Sequence, residues 1–251
     1  MKIKSSLLNS KLLSKYSSIG HFISCKPFFL RSPQYDGEFR NQSAENLIAL
    51  SQYYKIQGDN IVILNQTHSD AIIHITLNNF GQQHYADAAI TNLSNILLIT
   101  LASDCIPILL FDPIEKSIGV VHAGWKGLEN GIIKKTITKM EQVFGTNPAL
   151  LQIYIGPCIS GINYEVGPEF IQKFSDIYPH SLSTNKLSGT YNLDIRHIAL
   201  KQLVQINIQE KNVEVSKYCT YQDKENFNSY RRYTQTGDEY KGNNACGIMI
   251  K

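Results

Sequence analysis

Short uninterrupted runs of apolar residues dominate the middle of the chain, between residues 61 and 123. Residues 96–102 and 106–111 show no alternation of apolar and polar positions, which is typical of strands covered on both faces. Ser-Asp at 103–104 and Asp-Pro at 112–113 supply turn residues after these two runs. We therefore predict a largely buried sheet, with strands over residues 61–64, 71–77, 87–91, 96–102, 106–111, 117–122, 151–155 and 245–250.

Other segments carry apolar residues at helical spacing instead. The clearest runs from residue 128 to residue 144, and Gly145 follows it as a natural C-terminal stop. The predicted helices are residues 45–54, 128–144, 167–174 and 194–206. Because helices and strands interleave without a strict strand–helix–strand alternation, we predict a single α/β (α+β) domain over residues 1–251, with mixed β-sheets in layers.

The composition is that of an ordinary globular protein and excludes one class of partner. Hydrophobic residues make up 43% of the 251 residues, charged residues make up 18%, and the formal net charge is +3. Basic residues cluster at most as short pairs, such as Lys134 and Lys135. A nucleic-acid interface requires a longer basic stripe, so we expect no nucleic-acid partner.

Cysteine usage and the apolar runs indicate a cellular compartment. The five cysteines are odd in number and widely separated, which argues against a disulfide scaffold or a paired metal knuckle: Cys25, Cys105, Cys158, Cys219 and Cys246. The first residues contain no continuous apolar segment typical of a signal peptide, and the longest apolar runs are too short to cross a bilayer. We expect a cytoplasmic protein with no membrane partner.

Three residues form a candidate reactive centre. Cys105 and His122 each stand where an apolar run meets a polar or glycine-rich turn, and His68 lies in the turn Asn-Gln-Thr-His-Ser-Asp. Two imidazoles and one thiolate are donors that zinc uses, and they leave a fourth coordination position for water. Two other interpretations stay open. These residues can be ordinary core residues, or Cys105 can be a nucleophile whose thiolate is favoured by His122.

Eight motifs follow one another along most of the chain. They are Q-T-H-S at 66–69, A-D-A-A-I-T at 86–91, A-S-D-C-I-P-I-L-L-F-D-P at 102–113, G-V-V-H-A-G-W-K-G-L at 119–128, I-G-P-C-I at 155–159, Y-E-V-G at 164–167, C-T at 219–220 and S-Y-R-R at 229–232. In this order they resemble the YfiH/laccase-domain family. That family was formerly labelled multicopper polyphenol oxidase, is now described as purine nucleoside phosphorylase-like, and includes a bacterial peptidoglycan editing factor.

The resemblance implies that His68, Cys105 and His122 bind Zn²⁺, with Cu²⁺ as the other candidate, in a layered α-β-α domain with mixed β-sheets. It implies phosphorolysis of adenosine, inosine and methylthioadenosine to base and ribose 1-phosphate, and deamination of adenosine. The alternatives are a cysteine-type hydrolase that edits peptidoglycan precursors through Cys105 and His122, and a copper-binding polyphenol oxidase or non-enzymatic metal-binding protein. Seven histidines in all argue against a full multicopper oxidase.

Residues 1–45 depart from the family pattern. The family's F-x-T-R-x-G-G-V-S stretch is replaced by F-I-S-C-K-P-F-F-L-R-S-P-Q-Y-D-G at 22–37, and Cys25 falls where the family carries an arginine. If that arginine contacts substrate, we expect that this chain has lost the contact or that Lys26 or Arg31 replaces it.

Further residues are candidates for handling a purine nucleoside and phosphate. Asp104 is a candidate acid/base, and its alternative role is a turn residue that bonds its own backbone. Arg231 and Arg232 carry planar guanidinium groups suited to phosphate, and at most one should face the site if they lie on a strand. Tyr164 is a candidate for stacking on the base. Lys126 lies near the start of a predicted helix, where an anion is favoured.

Overall fold

The structure is a computed structural model that describes residues 3–185 and 189–251. The helices are α1 (Arg40–Tyr54), α2 (Trp125–Glu129), α3 (Ile132–Phe144), α4 (Glu169–Phe174), α5 (Ile195–Gln205) and α6 (Tyr230–Thr236). The strands are β1 (Leu7–Leu8), β2 (Ile19–Ser24), β3 (Ile61–Ile63), β4 (Ile72–His74), β5 (Ala88–Thr91), β6 (Leu97–Ala102), β7 (Ile106–Asp112), β8 (Ser117–Ala123), β9 (Gln152–Ile155), β10 (Glu165–Val166), β11 (Leu182–Asn185), β12 (Thr190–Leu193), β13 (Val213–Val215) and β14 (Asn244–Ile250).

The strands form two large mixed sheets and one small sheet. The first sheet has the order β1-β2-β14-β6-β3 and is antiparallel except for the β3/β6 pair. The second has the order β13-β9-β7-β8-β5-β4, with parallel pairs at both edges. A small antiparallel sheet has the order β10-β12-β11. The predicted mixture of strand directions is confirmed.

The two large sheets pack face to face, and helices cover their outer faces. Ile248 and Leu98 of the first sheet share a buried cluster with Leu109 and Val120 of the second. Helix α1 packs on the outer face of the first sheet, while α2, α3 and α5 cover the second. Most strands therefore have both faces buried, which is why their sequences read as continuous apolar runs. The predicted layered α-β-α fold is confirmed, and its β layer is double.

A short crossing between the two large sheets positions the site. Strand β6 ends in the first sheet at Ala102, and β7 begins in the second sheet at Ile106. Asp104, within this crossing, has φ 96°, a left-handed conformation that is unusual for a residue with a side chain. β7 then forms a hairpin with β8, in which Pro107 lies opposite His122. The crossing and the hairpin together bring Cys105 next to the end of β8.

Each predicted strand and helix overlaps an observed element, and two of the helices differ in their bounds. The predicted helix over residues 128–144 is divided at Gly131, which adopts φ 72°. The carbonyl of Leu128 accepts a hydrogen bond from Gln202 Nε2 at 2.7 Å, so the end of α2 is satisfied by a side chain. Helix α1 begins five residues before the predicted start at residue 45.

Strand β2 is an element that the pattern did not predict. It is buried along its whole length although it contains Gly20, His21 and Ser24. Its polar side chains are satisfied by other segments of the chain, since His21 Nε2 accepts from the Ser10 backbone nitrogen at 3.0 Å and Ser24 Oγ accepts from the Ala245 nitrogen at 2.8 Å. In the part of the chain that the structure describes, no helix combines the length and apolar character needed to span a membrane.

Candidate metal centre

The structure brings the three candidate ligands together. The hairpin places Cys105 beside His122, and His68 approaches from the loop between β3 and β4. One ligand atom from each of the three residues lies within 4.8 Å of the others. The rings of His68 and His122 are 4.9 Å apart between centroids and meet edge to face at 82°. This is a compact nitrogen, nitrogen and sulfur donor set, formed by side chains that are remote in the sequence.

The loop that carries His68 is fixed by two side chains that flank it. Gln66 pairs with the backbone of Leu101 like a neighbouring strand, since its Nε2 donates to the carbonyl at 2.7 Å and its Oε1 accepts from the amide at 2.7 Å. The carboxylate of Asp87 accepts from the backbone nitrogen of His68 at 3.0 Å. These bonds hold His68 in its left-handed conformation, with φ 57°.

Asp87 connects both candidate histidine ligands and was not predicted as a site residue. Its Oδ1 accepts from His122 Nδ1 at 2.8 Å, and its Oδ2 accepts from the Ser69 nitrogen and Oγ, each at 2.7 Å. The carboxylate is fully buried. Burial raises its pKa, but hydrogen bonds from His122 and Ser69 outweigh burial and hold the pKa well below its usual range. Asp87 therefore stays ionised.

An ionised Asp87 determines which nitrogen of His122 is available. A carboxylate at Nδ1 keeps a proton on that nitrogen, so Nε2 is the nitrogen that faces Cys105 and His68 and that can bind a metal once it releases its own proton. This is how a metal-ligating histidine is commonly oriented. The sequence did contain a signal, because Asp87 is the single charged residue of the motif A-D-A-A-I-T and directly precedes a buried strand.

The charges of Cys105 and His122 stabilise each other. Burial raises the pKa of the Cys105 thiol, but His122, together with His68, outweighs burial and lowers the pKa to about 6. Burial lowers the pKa of His122, whereas Cys105 and the Asp87 hydrogen bond raise it to about 9. The thiolate form of Cys105, which is the form that binds metals, is therefore accessible near neutral pH.

Gly124 provides the space that the three ligands need. A Cβ at this position would lie 3.1 Å from Cys105 Sγ and 3.2 Å from His68 Cδ2. Both distances are shorter than ordinary van der Waals contact. A side chain at this position would push the ligands apart, so the glycine of the H-A-G-W segment belongs to the architecture of the centre.

The centre lies at a pocket of about 610 Å³, which is within the size range of small-ligand sites. Aromatic side chains supply much of its lining, and polar groups stand among them. Besides the three ligands, the pocket is lined by Ser32, Leu64, Gln66, Leu101, Ser103, Asp104, Trp125, Tyr164, Tyr230, Arg231, Thr234, Tyr240 and Asn243. Burial raises the pKa of Tyr164 well above its usual range, so its phenol stays protonated.

The two candidate arginines lie on helix α6 and not on a strand. Ser229 caps the start of this helix, since its Oγ accepts from the Arg232 nitrogen. Arg231 lines the pocket, donates through Nη1 to the Glu165 carbonyl at 2.8 Å and lies over the Tyr164 ring. Arg232 is buried and donates to three backbone carbonyls and to Asp238. Only Arg231 therefore faces the pocket.

The remaining candidates are placed differently from one another. Asp104 lines the pocket, and its carboxylate bonds other segments of the chain and not its own turn. Lys126 is exposed outside the pocket lining, with Nζ 5.5 Å from the centroid of the Trp125 ring. Lys26 donates to the Lys224 carbonyl, away from the pocket. Arg31 lies over the ring of Tyr240, which is a pocket residue.

Comparisons with known proteins agree with the motif pattern. The sequence profile described as multi-copper polyphenol oxidoreductase laccase matches residues 34–251. A purine nucleoside phosphorylase of Corynebacterium glutamicum is 34% identical over 196 residues, 77% of this chain and 78% of the relative. One of Clostridium acetobutylicum is 32% identical over 207 residues, covering 82% of this chain and 83% of the relative.

Solved structures show the same fold. The crystal structure of the hypothetical protein YfiH of Bacillus licheniformis has a TM-score of 0.85 and 24% identity, covering 98% of this chain and 97% of that chain. YlmD of Geobacillus stearothermophilus has a TM-score of 0.86 and 20% identity, covering 98% and 96%. The two-sheet layered architecture is therefore shared over nearly the whole chain.

Proposed function

The chain belongs to the multi-copper polyphenol oxidoreductase laccase family, and from this membership we propose that it is a zinc-dependent purine nucleoside phosphorylase that also deaminates adenosine. Its relatives with 25–34% identity bear the name purine nucleoside phosphorylase. The proposed substrates are phosphate with adenosine, inosine or methylthioadenosine, and the products are the base and ribose 1-phosphate. The observation that carries the proposal is the His68, Cys105 and His122 group at an aromatic pocket that also holds an arginine.

The donor set suits zinc. Two imidazoles and a thiolate are zinc ligands, and three protein ligands leave a coordination position open, as in catalytic zinc sites. When bound, zinc acts as a Lewis acid and lowers the pKa of a water molecule, which is the chemistry that deamination requires. Among residues 3–185 and 189–251, this is the one group of three or more His, Cys, Asp or Glu side chains whose ligand atoms lie close enough together to hold a metal ion. A single site fits one Zn²⁺, or one Cu²⁺, and not a multinuclear copper cluster.

We assign phosphate to Arg231 and the base to Tyr164. The guanidinium of Arg231 lines the pocket 5.1 Å from the Tyr164 ring centroid, so an anion and an aromatic base can be held side by side. Phosphorolysis requires phosphate close to the anomeric carbon while the purine leaves, and this adjacency meets that requirement. Lys126 and Arg232 are not included, because the first is outside the pocket lining and the second is buried among its own partners.

Product analysis tests the reaction. Purified protein is incubated with inosine and phosphate and assayed for hypoxanthine and ribose 1-phosphate, and with adenosine alone for inosine and ammonia. Cys105→Ala should remove both bound metal and turnover. Metal-loaded protein that forms neither base nor ribose 1-phosphate from any of the three nucleosides contradicts the phosphorylase, and turnover retained by Cys105→Ala contradicts the metal mechanism.

A matched pair of variants tests the phosphate contact. Arg231→Met should raise the KM for phosphate by about tenfold or more, equal to about 1.4 kcal/mol or more, because a charge-assisted contact is lost. Arg40→Met is the control, since Arg40 is exposed and pairs with Asp36 outside the pocket. An unchanged phosphate KM in Arg231→Met, with full metal content, removes Arg231 from this role.

One arrangement favours a second candidate function. Cys105 contacts His122, and His122 in turn bonds Asp87, which is the arrangement of a nucleophile, a base and an orienting carboxylate. This order suits a cysteine-type hydrolase that edits peptidoglycan precursors. Metal analysis separates the two: the hydrolase keeps full activity in metal-free protein, whereas the phosphorylase loses activity on chelation and regains it with zinc.

A further inference from the structure

The buried carboxylate of Asp104 connects the metal centre to the helix that lines the pocket. Asp104 directly precedes Cys105, and its side chain is only 8% exposed. Its Oδ1 accepts from Thr220 Oγ1 at 2.6 Å, and its Oδ2 accepts from Ser229 Oγ at 3.0 Å and from the Arg231 backbone nitrogen at 2.7 Å. Both oxygens are thus engaged by donors that belong to other segments of the chain.

Two of these three donors, Ser229 and Arg231, lie at the start of helix α6. Ser229 is the N-cap residue, and its Oγ both donates to Asp104 and accepts from the Arg232 nitrogen. The Arg231 amide is one of the first backbone N–H groups of the helix, which lack partners inside the helix. Asp104 satisfies that donor, and its negative charge lies at the positive end of the helix.

The backbone of Asp104 is shaped for the same contact. Its φ of 96° turns the chain between β6 and β7, and its carbonyl accepts from the Ile159 nitrogen at 3.0 Å. A glycine would adopt this φ with less strain, but it could not supply the carboxylate. The structure thus retains a strained side-chain-bearing residue at the position where β6, β7 and α6 meet.

We propose, on the basis of the proposed function, that Asp104 is a positioning residue: it fixes the substrate-facing side of α6 relative to Cys105. Tyr230, Arg231 and Thr234 of α6 line the pocket. Their positions depend on the position of the N-terminal end of α6. Asp104 holds that end in place next to Cys105. Asp104 is then required for the placement of Arg231 against the phosphate, and it takes no part in proton transfer.

The test compares Asp104→Asn with Asp112→Asn. Asparagine keeps one acceptor but turns an NH₂ group towards donors that met an oxygen. Asp112 is the matched control, because it is a buried carboxylate at the other end of β7 whose Oδ1 accepts from two backbone nitrogens. Three quantities are measured on zinc-loaded protein: zinc affinity, deuterium exchange of the α6 amides, and kcat and KM for inosine and phosphate against pH.

A positioning role predicts a specific combination in Asp104→Asn. Zinc affinity stays within about twofold of wild type, because all three ligands remain. Exchange of the Arg231 amide rises by about tenfold or more, because its charged acceptor is replaced by a neutral amide oxygen. The KM for phosphate rises by about tenfold, while the shape of the kcat–pH profile is kept. Asp112→Asn leaves the α6 exchange and the phosphate KM unchanged.

Other outcomes overturn the proposal. An acid/base role would lower kcat by about 100-fold or more, remove one limb of its pH profile and leave KM and α6 exchange unchanged. Unchanged α6 exchange in Asp104→Asn also refutes the anchor. If Asp104→Asn does not fold, Thr220→Val removes one of the three hydrogen bonds to the Asp104 carboxylate and should raise α6 exchange. Unchanged exchange in that variant contradicts the proposal. The exchange measurement does not require turnover, so the two proposals fail separately. Absence of phosphorolysis refutes the proposed function, whereas amide exchange of α6 alone decides whether Asp104 anchors the helix.

Discussion

Replacing Asp87 by asparagine tests the proposed metal centre most directly, because one carboxylate orients both histidines that would bind the metal. Its Oδ2 accepts from the nitrogen and hydroxyl of both Thr67 and Ser69, and its Oδ1 accepts from the His68 nitrogen and His122 Nδ1. The asparagine oxygen can best replace Oδ2, which has four donors. Its NH₂ group then faces the His68 nitrogen and His122 Nδ1.

The magnitude follows from this mismatch. To accept from the new NH₂ group, His122 must carry its proton on Nε2, the nitrogen that faces the other two ligands. Metal binding then has to displace that proton, and the His68 loop loses a charged acceptor. Substitution of such an orienting partner costs about 10- to 100-fold in metal affinity, or about 1.4–2.7 kcal/mol. Zinc affinity of Asp87→Asn should fall within this range.

Competition with a chromophoric chelator measures the affinity of metal-free protein for zinc, and nitrogen NMR reports the His122 tautomer. Asp70→Asn is the control, since Asp70 is a neighbouring carboxylate that bonds Lys135 and not a ligand. The reasoning is refuted if Asp87→Asn binds zinc within about twofold of wild type and keeps its proton on Nδ1.

Three further predictions concern the space at the centre, the buried arginine and the N-terminal segment. Gly124→Ala should lower the zinc bound per chain, because the new Cβ would crowd Cys105. Gly58→Ala should leave the zinc content unchanged, because a Cβ at residue 58 meets no other atom. Equal zinc content in the two variants contradicts the steric argument. Arg232→Met should destabilise the fold by about 3 kcal/mol and lower Tm by about 6–12 °C, because several backbone carbonyls lose their donor; a Tm within about 2 °C of wild type refutes this. Burial raises the pKa of Glu214, but hydrogen bonds from Ser10 and Leu12 of the N-terminal segment outweigh burial and lower that pKa. The ionised Glu214 therefore stabilises the fold at pH values above its ordinary pKa of 4.5, and this stabilisation is lost as the pH falls. Wild type should therefore exceed Glu214→Gln in urea midpoint at pH 7 by more than at pH 4, and an equal difference at both pH values contradicts the assignment.

Much of the fold could be predicted from local pattern. Continuous apolar runs identified eight strands because both faces of the large sheets are buried, and Gly145 ended α3 as predicted. Strand β2 was not predicted because its polar residues His21 and Ser24 interrupt the apolar run, and they are buried only through partners that lie elsewhere in the chain. Helix α6 was not predicted because its sequence, Tyr-Arg-Arg-Tyr-Thr-Gln-Thr, contains no aliphatic residue from which a helical period could be read.

The site divides in a similar way. His68, Cys105 and His122 were identified from residue chemistry and motif resemblance, and the structure places them together. The role of Asp87 was not identified. Its place as the single charged residue before a buried strand distinguishes it, but no local pattern indicates its partners, which lie about 20 and 35 residues away. Arg231 and Arg232 are adjacent and chemically identical, so only the position of α6 distinguishes the pocket residue from the buried one.

The sequence by itself determined which side chains have the chemistry of a metal centre and which segments are buried, because residue type and periodicity depend on short stretches of chain. Tertiary structure decided which sheet each strand joins, which oxygen meets which donor, and whether a charged side chain faces the pocket or the core. Those outcomes depend on contacts between segments up to 221 residues apart, and such contacts are set by the packing of the two sheets and not by any local pattern.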